Sequence, residues 1–133
     1  MVKNKTENEI TNTLLALEVA ALERWGKGDP YGFLEISDKD VVYFDPFIES
    51  RIDGLENLTA HYEKLKGHII IDHFDILNPC FQGINNIYVL TYNFISFTNG
   101  KESKWNCTEV YENKEGEWKI IQTHWSFTMV NEG

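Results

Sequence analysis

The chain has 133 residues, enough for one domain with one core. Apolar residues make up 42% and aromatics 14%, which suits a large core or an aromatic-lined cavity. Twelve basic against 21 acidic residues leave a formal charge of -9, a surface that repels phosphate backbones and anionic lipid and so argues against nucleic acid and membranes as partners.

The opening "MVKNKTENEI" has no apolar stretch of the secretory kind, and no run approaches bilayer-spanning length. A cytoplasmic protein is expected, with residues 1–6 as a disordered tail and the whole of 1–133 as a single domain. Cys80 and Cys107 stand far apart and read as free, partly buried thiols. There is no C-x-x-C pair, so zinc and thiol redox chemistry are not favoured.

Residues 7–25 form the first predicted helix, because Ile10, Leu14, Leu17, Ala21 and Trp25 recur at steps of four, three, four and four. "GKGDP" ends it, with Asp29 and Pro30 suited to start a short second helix over 31–36. "SDKD" reads as a turn, and the β-branched and aromatic "VVYFD" reads as a strand. A third helix is expected over 56–66, with Leu55, Leu58, Tyr62 and Leu65 on one face. Four strands follow, over about 69–81, 87–97, 102–111 and 118–129, joined by turns at "GINN", "TNGKE" and "NKEGE".

Helices first and an antiparallel meander after them give an α+β class. The expected shape is a cone, a curved antiparallel sheet packed on three N-terminal helices around an internal pocket. Trp118 and Ile120 read as outward-pointing and apolar, which predicts a homodimer through the outer sheet face.

The order of elements, together with "GD" (Gly28, Asp29), "DPF" (Asp45 to Phe47), "IDGLENLTAHY" (from Ile52), "TEVYENKEGEWKI" (from Thr108) and "HWS" (from His124), resembles the nuclear-transport-factor-two-like superfamily, also called SnoaL-like or ketosteroid-isomerase-like. The resemblance implies the cystatin-like cone. "DPF" with the downstream Gly and Tyr resembles ketosteroid isomerase, where the acid before the proline is the general base. "ILNPCF", "TEVY" and "HWS" resemble the association domain of calcium/calmodulin-dependent protein kinase, which assembles subunits without known chemistry.

Val41, Tyr43 and Asp45 share one strand face, so an inward Tyr43 brings Asp45 into the pocket, where a carboxylate can remove a proton alpha to a carbonyl. An Asp before Pro46 equally fits a turn. A carboxylate base needs donors at the developing oxyanion. The resemblance places the isomerase donors at Ala21, which donates nothing, and at Thr108, which offers one hydroxyl. Tyr62 matches a pocket tyrosine and also fits plain helix packing. Parity groups Ile121, Thr123, Trp125 and Phe127 around the pocket, joined by Trp25, Tyr43 and Phe47, and turns His124 away as a second-rank candidate.

His73 and Asp75 make a two-ligand pair without an informative third, so no metal and no cofactor are assigned. Glu109 and Glu112 read as surface charge. Phosphate loops and the G-x-S-x-G elbow are missing. The expected partner is a small apolar molecule bearing a carbonyl or hydroxyl. The expected activity is a cofactor-independent isomerase or lyase step with Asp45, Tyr62 and Thr108, against the alternative of a noncatalytic binding or assembly module.

Overall fold

The computed structural model describes residues 2–129, and side chains from residue 7 onward. The tail expected over 1–6 lies outside the residues whose side chains are described. The elements run α1 (Val2–Trp25), α2 (Tyr31–Glu35), β1 (Ser37–Phe44), β2 (Ile52–Asp53), α3 (Leu55–Glu63), β3 (His73–Ile84), β4 (Ile87–Thr98), β5 (Lys101–Lys114) and β6 (Glu117–Phe127).

The apolar stripe of α1 buries Leu14, Ala21 and Leu22 against the sheet, and Glu18 lies in the middle of the same stripe. Past Trp25 the chain reverses through Gly28 at φ 84, in the left-handed region. Its carbonyl accepts the Gly67 N–H at 2.9 Å, and a Cβ at Gly28 would stand 3.0 Å from the Gly67 Cα. That close approach ties the end of α1 to the segment after α3. Asp29 Oδ1 accepts the Tyr31 N–H at 3.0 Å and so caps α2 from just outside it.

One sheet holds all six strands in the order β2-β1-β6-β5-β4-β3. The meander β3 to β6 is antiparallel, and its two-residue turns carry Asn99–Gly100 and Glu115–Gly116, all at positive φ. The sheet is mixed rather than purely antiparallel, because β1 pairs parallel to β6. β1 also begins at Ser37, so "SDKD" is strand rather than turn.

Three register shifts bend the sheet. One sits at Asn78 and Pro79 on the edge strand β3, where a residue without an N–H is tolerated. Another lies where Val110 faces Gln122 but Tyr111 faces Ile120, which leaves Ile121 as the extra residue. This bulge reverses parity along β6. Ile120 is fully buried in the core, and Trp118 packs edge-on against Tyr88 at 5.8 Å. Neither residue points outward, so the argument for an apolar outer face that rested on them is overturned.

The concave face of the sheet, α1 and α3 enclose the core. Leu14, Leu22, Leu58, Leu90 and Ile120 are fully buried there. Truncating one such side chain to Ala costs about 2–5 kcal/mol. Among the described residues no helix is long and apolar enough to cross a membrane.

Candidate functional site

A cavity of about 360 Å³ lies between the helices and the sheet. Helices contribute Leu22, Trp25, Phe33 and Tyr62 to its wall, and the sheet contributes Tyr43, Phe94, Trp105 and Trp125. The segment from His68 to Ile71 closes one side. Phe47 belongs to the lining yet is 73% exposed, which places the mouth at the loop between β1 and β2. Phe47 stands edge-on to Trp105 at 6.0 Å and to Phe127 at 5.5 Å, forming an aromatic rim.

Asp45 is at once a turn residue and a cavity carboxylate. Strand alternation puts it on the face of Val41 and Tyr43, both buried. Its Oδ1 accepts the Phe47 N–H at 2.7 Å, the local bond of an Asx turn. Its Oδ2 accepts the Tyr43 hydroxyl at 2.8 Å and stands 3.1 Å from His61 Nε2. An ionised carboxylate only accepts, so the His61 tautomer that fits carries its proton on Nε2. The Asp45 side chain is 8% exposed and that of His61 is 21% exposed. Burial holds the Tyr43 and Tyr62 hydroxyls well above the ordinary phenol range, so both stay protonated donors. Tyr62 packs against Trp25 at 4.9 Å and Tyr43 at 5.4 Å between ring centres.

The structure brings together Asp45, Tyr62, Trp25, Tyr43, Phe47 and Trp125 around this cavity. Other expected members fall elsewhere. Thr108 pairs with Thr91 and His124 on the outer face of the sheet, because Cys107 and Glu109 take the inward positions. Ile121 is the bulged residue, away from the cavity wall. Ala21 is packed in the core, and Thr123 is buried beside Glu109. Phe127 stays at the rim, half exposed, and packs on Trp105 at 4.3 Å. His124 faces outward against Phe44, as parity requires. His73 and Asp75 bond to each other at 3.0 Å on an exposed strand.

A second polar centre lies deeper in the cone, and the sequence reading missed it. Glu18 of α1 and Glu109 of β5 are both fully buried, so the reading of Glu109 as surface charge is wrong. Glu18 accepts the Tyr111 hydroxyl on Oε1 and the Tyr92 hydroxyl on Oε2, each at 2.6 Å. Glu109 Oε1 accepts the Thr123 hydroxyl, and Oε2 has no partner. Loss of water raises the proton affinity of both acids, and the two tyrosine donors temper the effect at Glu18. Glu109 is pushed well above the carboxylate range by burial first and by the nearby Glu18 second, so it holds its proton. A proton on Oε2 would make it a donor, with the neighbouring Glu18 carboxylate as its acceptor. One ligand atom each from Glu18, Cys107 and Glu109 lies within 4.8 Å of the other two, a donor set with the softness for a divalent metal.

Two signals for this pair were present in the sequence. Glu18 is four residues from both Leu14 and Leu22 on the buried stripe. Glu109 alternates with Cys107 and Tyr111 on one strand face. Nothing local marks His61 as a partner of Asp45, which depends on how α3 docks on β1.

Residues 7–129 match the family model for the calcium/calmodulin dependent protein kinase II association domain. A ketosteroid isomerase-like protein from Parabacteroides distasonis is 46% identical, with 86% of this chain and 85% of that one covered and a TM-score of 0.80. An NTF2-like protein of unknown function from Pseudomonas putida is 18% identical over 94% of this chain and 91% of that one, with a TM-score of 0.80. The association domain of calcium/calmodulin-dependent protein kinase II from C. elegans is 18% identical over 92% and 96%, with a TM-score of 0.72. The last two likenesses speak to fold alone: an α+β, nuclear-transport-factor-two-like cone. No curated protein matches the chain.

Proposed function

We propose, for a chain that belongs to the calcium/calmodulin dependent protein kinase II association domain family, that its cone cavity binds a small and largely apolar molecule with Asp45 as the polar anchor. The observation that carries this reading is one carboxylate lining a cavity whose other walls are mostly aromatic and aliphatic. Such a wall gives affinity through apolar burial, and a single placed polar group gives orientation. A cavity of about 360 Å³ suits a one- or two-ring compound.

Proton abstraction from a carbonyl compound by Asp45, as an isomerase or lyase step, is the second reading. The 46% identity to a ketosteroid isomerase-like protein favours it. Against it stands the supply of oxyanion donors. Ala21 has none to give, Thr108 is on the other face, and Tyr62 is the remaining hydroxyl among the three residues first considered. A carboxylate base without paired donors at the oxyanion loses roughly 10²–10³ in rate for each missing donor. Binding therefore ranks ahead of chemistry.

Family membership also favours assembly of several copies, through the outer sheet face that carries Phe44, Thr108, Val110 and His124. This role is compatible with an occupied cavity, because the two use opposite faces of the sheet. Light scattering tests it directly: a defined dimer or larger ring supports assembly, and a monomer at micromolar concentration opposes it.

Trp25, Trp105 and Trp125 line the cavity, so their fluorescence reports its occupancy. Titration with propylbenzene should give a saturable change, and Ser96→Trp, which plugs the wall, should abolish it. A saturable change that survives the plug would place the molecule elsewhere and defeat the binding reading.

A further inference from the structure

We propose that the molecule this cavity takes is an organic cation, an aromatic or alicyclic amine whose ammonium group donates to Asp45. The inference rests on the cavity-binding reading above and adds the charge of the ligand.

Three observations converge on it. First, among the described residues Asp45 is the one carboxylate that lines the cavity, and no lysine or arginine lines it. An anionic ligand would face that carboxylate with no fixed positive side chain to answer it. Second, the carboxylate has one acceptor position left. Its two oxygens offer about four lone-pair sites. Phe47 N–H, the Tyr43 hydroxyl and His61 occupy three of them, one on Oδ1 and two on Oδ2. The open site on Oδ1 calls for a donor. A neutral carbonyl cannot fill it, and an ammonium fills it with a charge-assisted bond.

Third, the walls suit a cation as well as a ring. Trp25, Tyr43, Tyr62, Trp105 and Trp125 present aromatic surface to the cavity. The negative faces of such rings attract cations, and an ammonium beside a partly desolvated carboxylate gains from both. The formal charge of -9 also raises the concentration of cations near the mouth. His61 meets the carboxylate from α3 through Nε2 at 3.1 Å, and His68, exposed, is the other histidine beside the cavity.

The test uses four probes of similar size on the full chain, read by tryptophan fluorescence and calorimetry: 2-phenylethylamine, 2-phenylethanol, propylbenzene and phenylacetate. The expected result is amine binding at least tenfold tighter than the alcohol and the acid, with that margin lost in Asp45→Asn. The comparison among probes on the unaltered protein stands even if Asp45→Asn fails to fold. Equal binding of amine, alcohol and propylbenzene, all blocked by Ser96→Trp, would overturn the cation inference while leaving the cavity reading intact. Failure of all four probes, propylbenzene included, would overturn both. Preference for phenylacetate would overturn the cation inference outright.

Discussion

Asp45 and the Glu18–Glu109 pair are carboxyl groups in one cone, yet their surroundings set them to different work. Asp45 lines the cavity with three hydrogen bonds and a fourth acceptor position unfilled. Glu18 and Glu109 are sealed among Tyr92, Tyr111, Thr123 and Cys107, and Glu109 keeps a proton because no water reaches it. In the proposed reading the first arrangement serves recognition, since Asp45 lines the cavity and keeps one acceptor position unfilled. The second is a structural one, since a helix and three strands seal it from the cavity, with Glu109 Oε2 left without a hydrogen-bond partner. The contrast is one of dielectric and geometry rather than residue type.

The largest effect that can separate the two regions comes from deleting the deep acceptor. Glu18→Ala leaves the buried Tyr92 and Tyr111 hydroxyls unpaired and opens a void. A loss of about 4 kcal/mol in urea unfolding is expected. A loss under about 1 kcal/mol would mean that water already enters the deep site and that the two regions are alike.

The pH dependence of stability comes next. Glu109 and Glu18 both have folded-state proton affinities above the ordinary carboxyl value of 4.5. The pair's contribution is therefore full below pH 4.5 and is lost as pH rises through the raised folded values. Each proton released over that window costs up to about 1.4 kcal/mol per pH unit. Glu109→Gln keeps the acceptor for Thr123, puts an N–H at Oε2 and cannot ionise, so it should flatten this slope. An unchanged slope in equilibrium unfolding from pH 4.5 to 8 would assign the dependence to other groups.

Asp45→Asn sharpens the comparison from the other side. The amide oxygen can still accept the Phe47 N–H, while the amide N–H₂ replaces the Oδ2 that accepts from Tyr43 and faces His61, so stability should fall by no more than about 2 kcal/mol. Its effect should fall on ligand affinity, read by calorimetry. A large loss of stability with unchanged binding would invert the assignment of roles.

Thr108→Val gives the smallest effect. Thr108 lies on the outer face away from both centres, so stability should move within about 0.5 kcal/mol and binding not at all. A change in ligand affinity would return Thr108 to the site.

Much of the fold was legible because its signals are local. The stripe from Ile10 to Trp25 and the glycine-bearing turns of the meander locate α1 and β3 to β6 within a few residues. Alternation through Val41 and Tyr43 carries Asp45 to the sheet face that lines the cavity. The failures are non-local. The parallel pairing of β1 with β6 leaves no mark in either strand. The bulge at Ile121 carries no glycine, so unbroken alternation from Trp118 to Phe127 turned Ile120 outward and Ile121 inward. Glu109 runs against its residue type, although the alternation of Trp105, Cys107 and Tyr111 around it marks the inward face. A glutamate is rarely buried, but here Glu18 from α1 and Thr123 from β6 share its burial, and neither neighbour is close in sequence.

The most direct measurement is a crystal of the protein soaked in 2-phenylethylamine. The account expects density for the ring among Trp25, Trp105 and Trp125, with the nitrogen within about 3 Å of Asp45 Oδ1. A cavity filled only by water at saturating amine, or a ring whose nitrogen points away from Asp45, would contradict it.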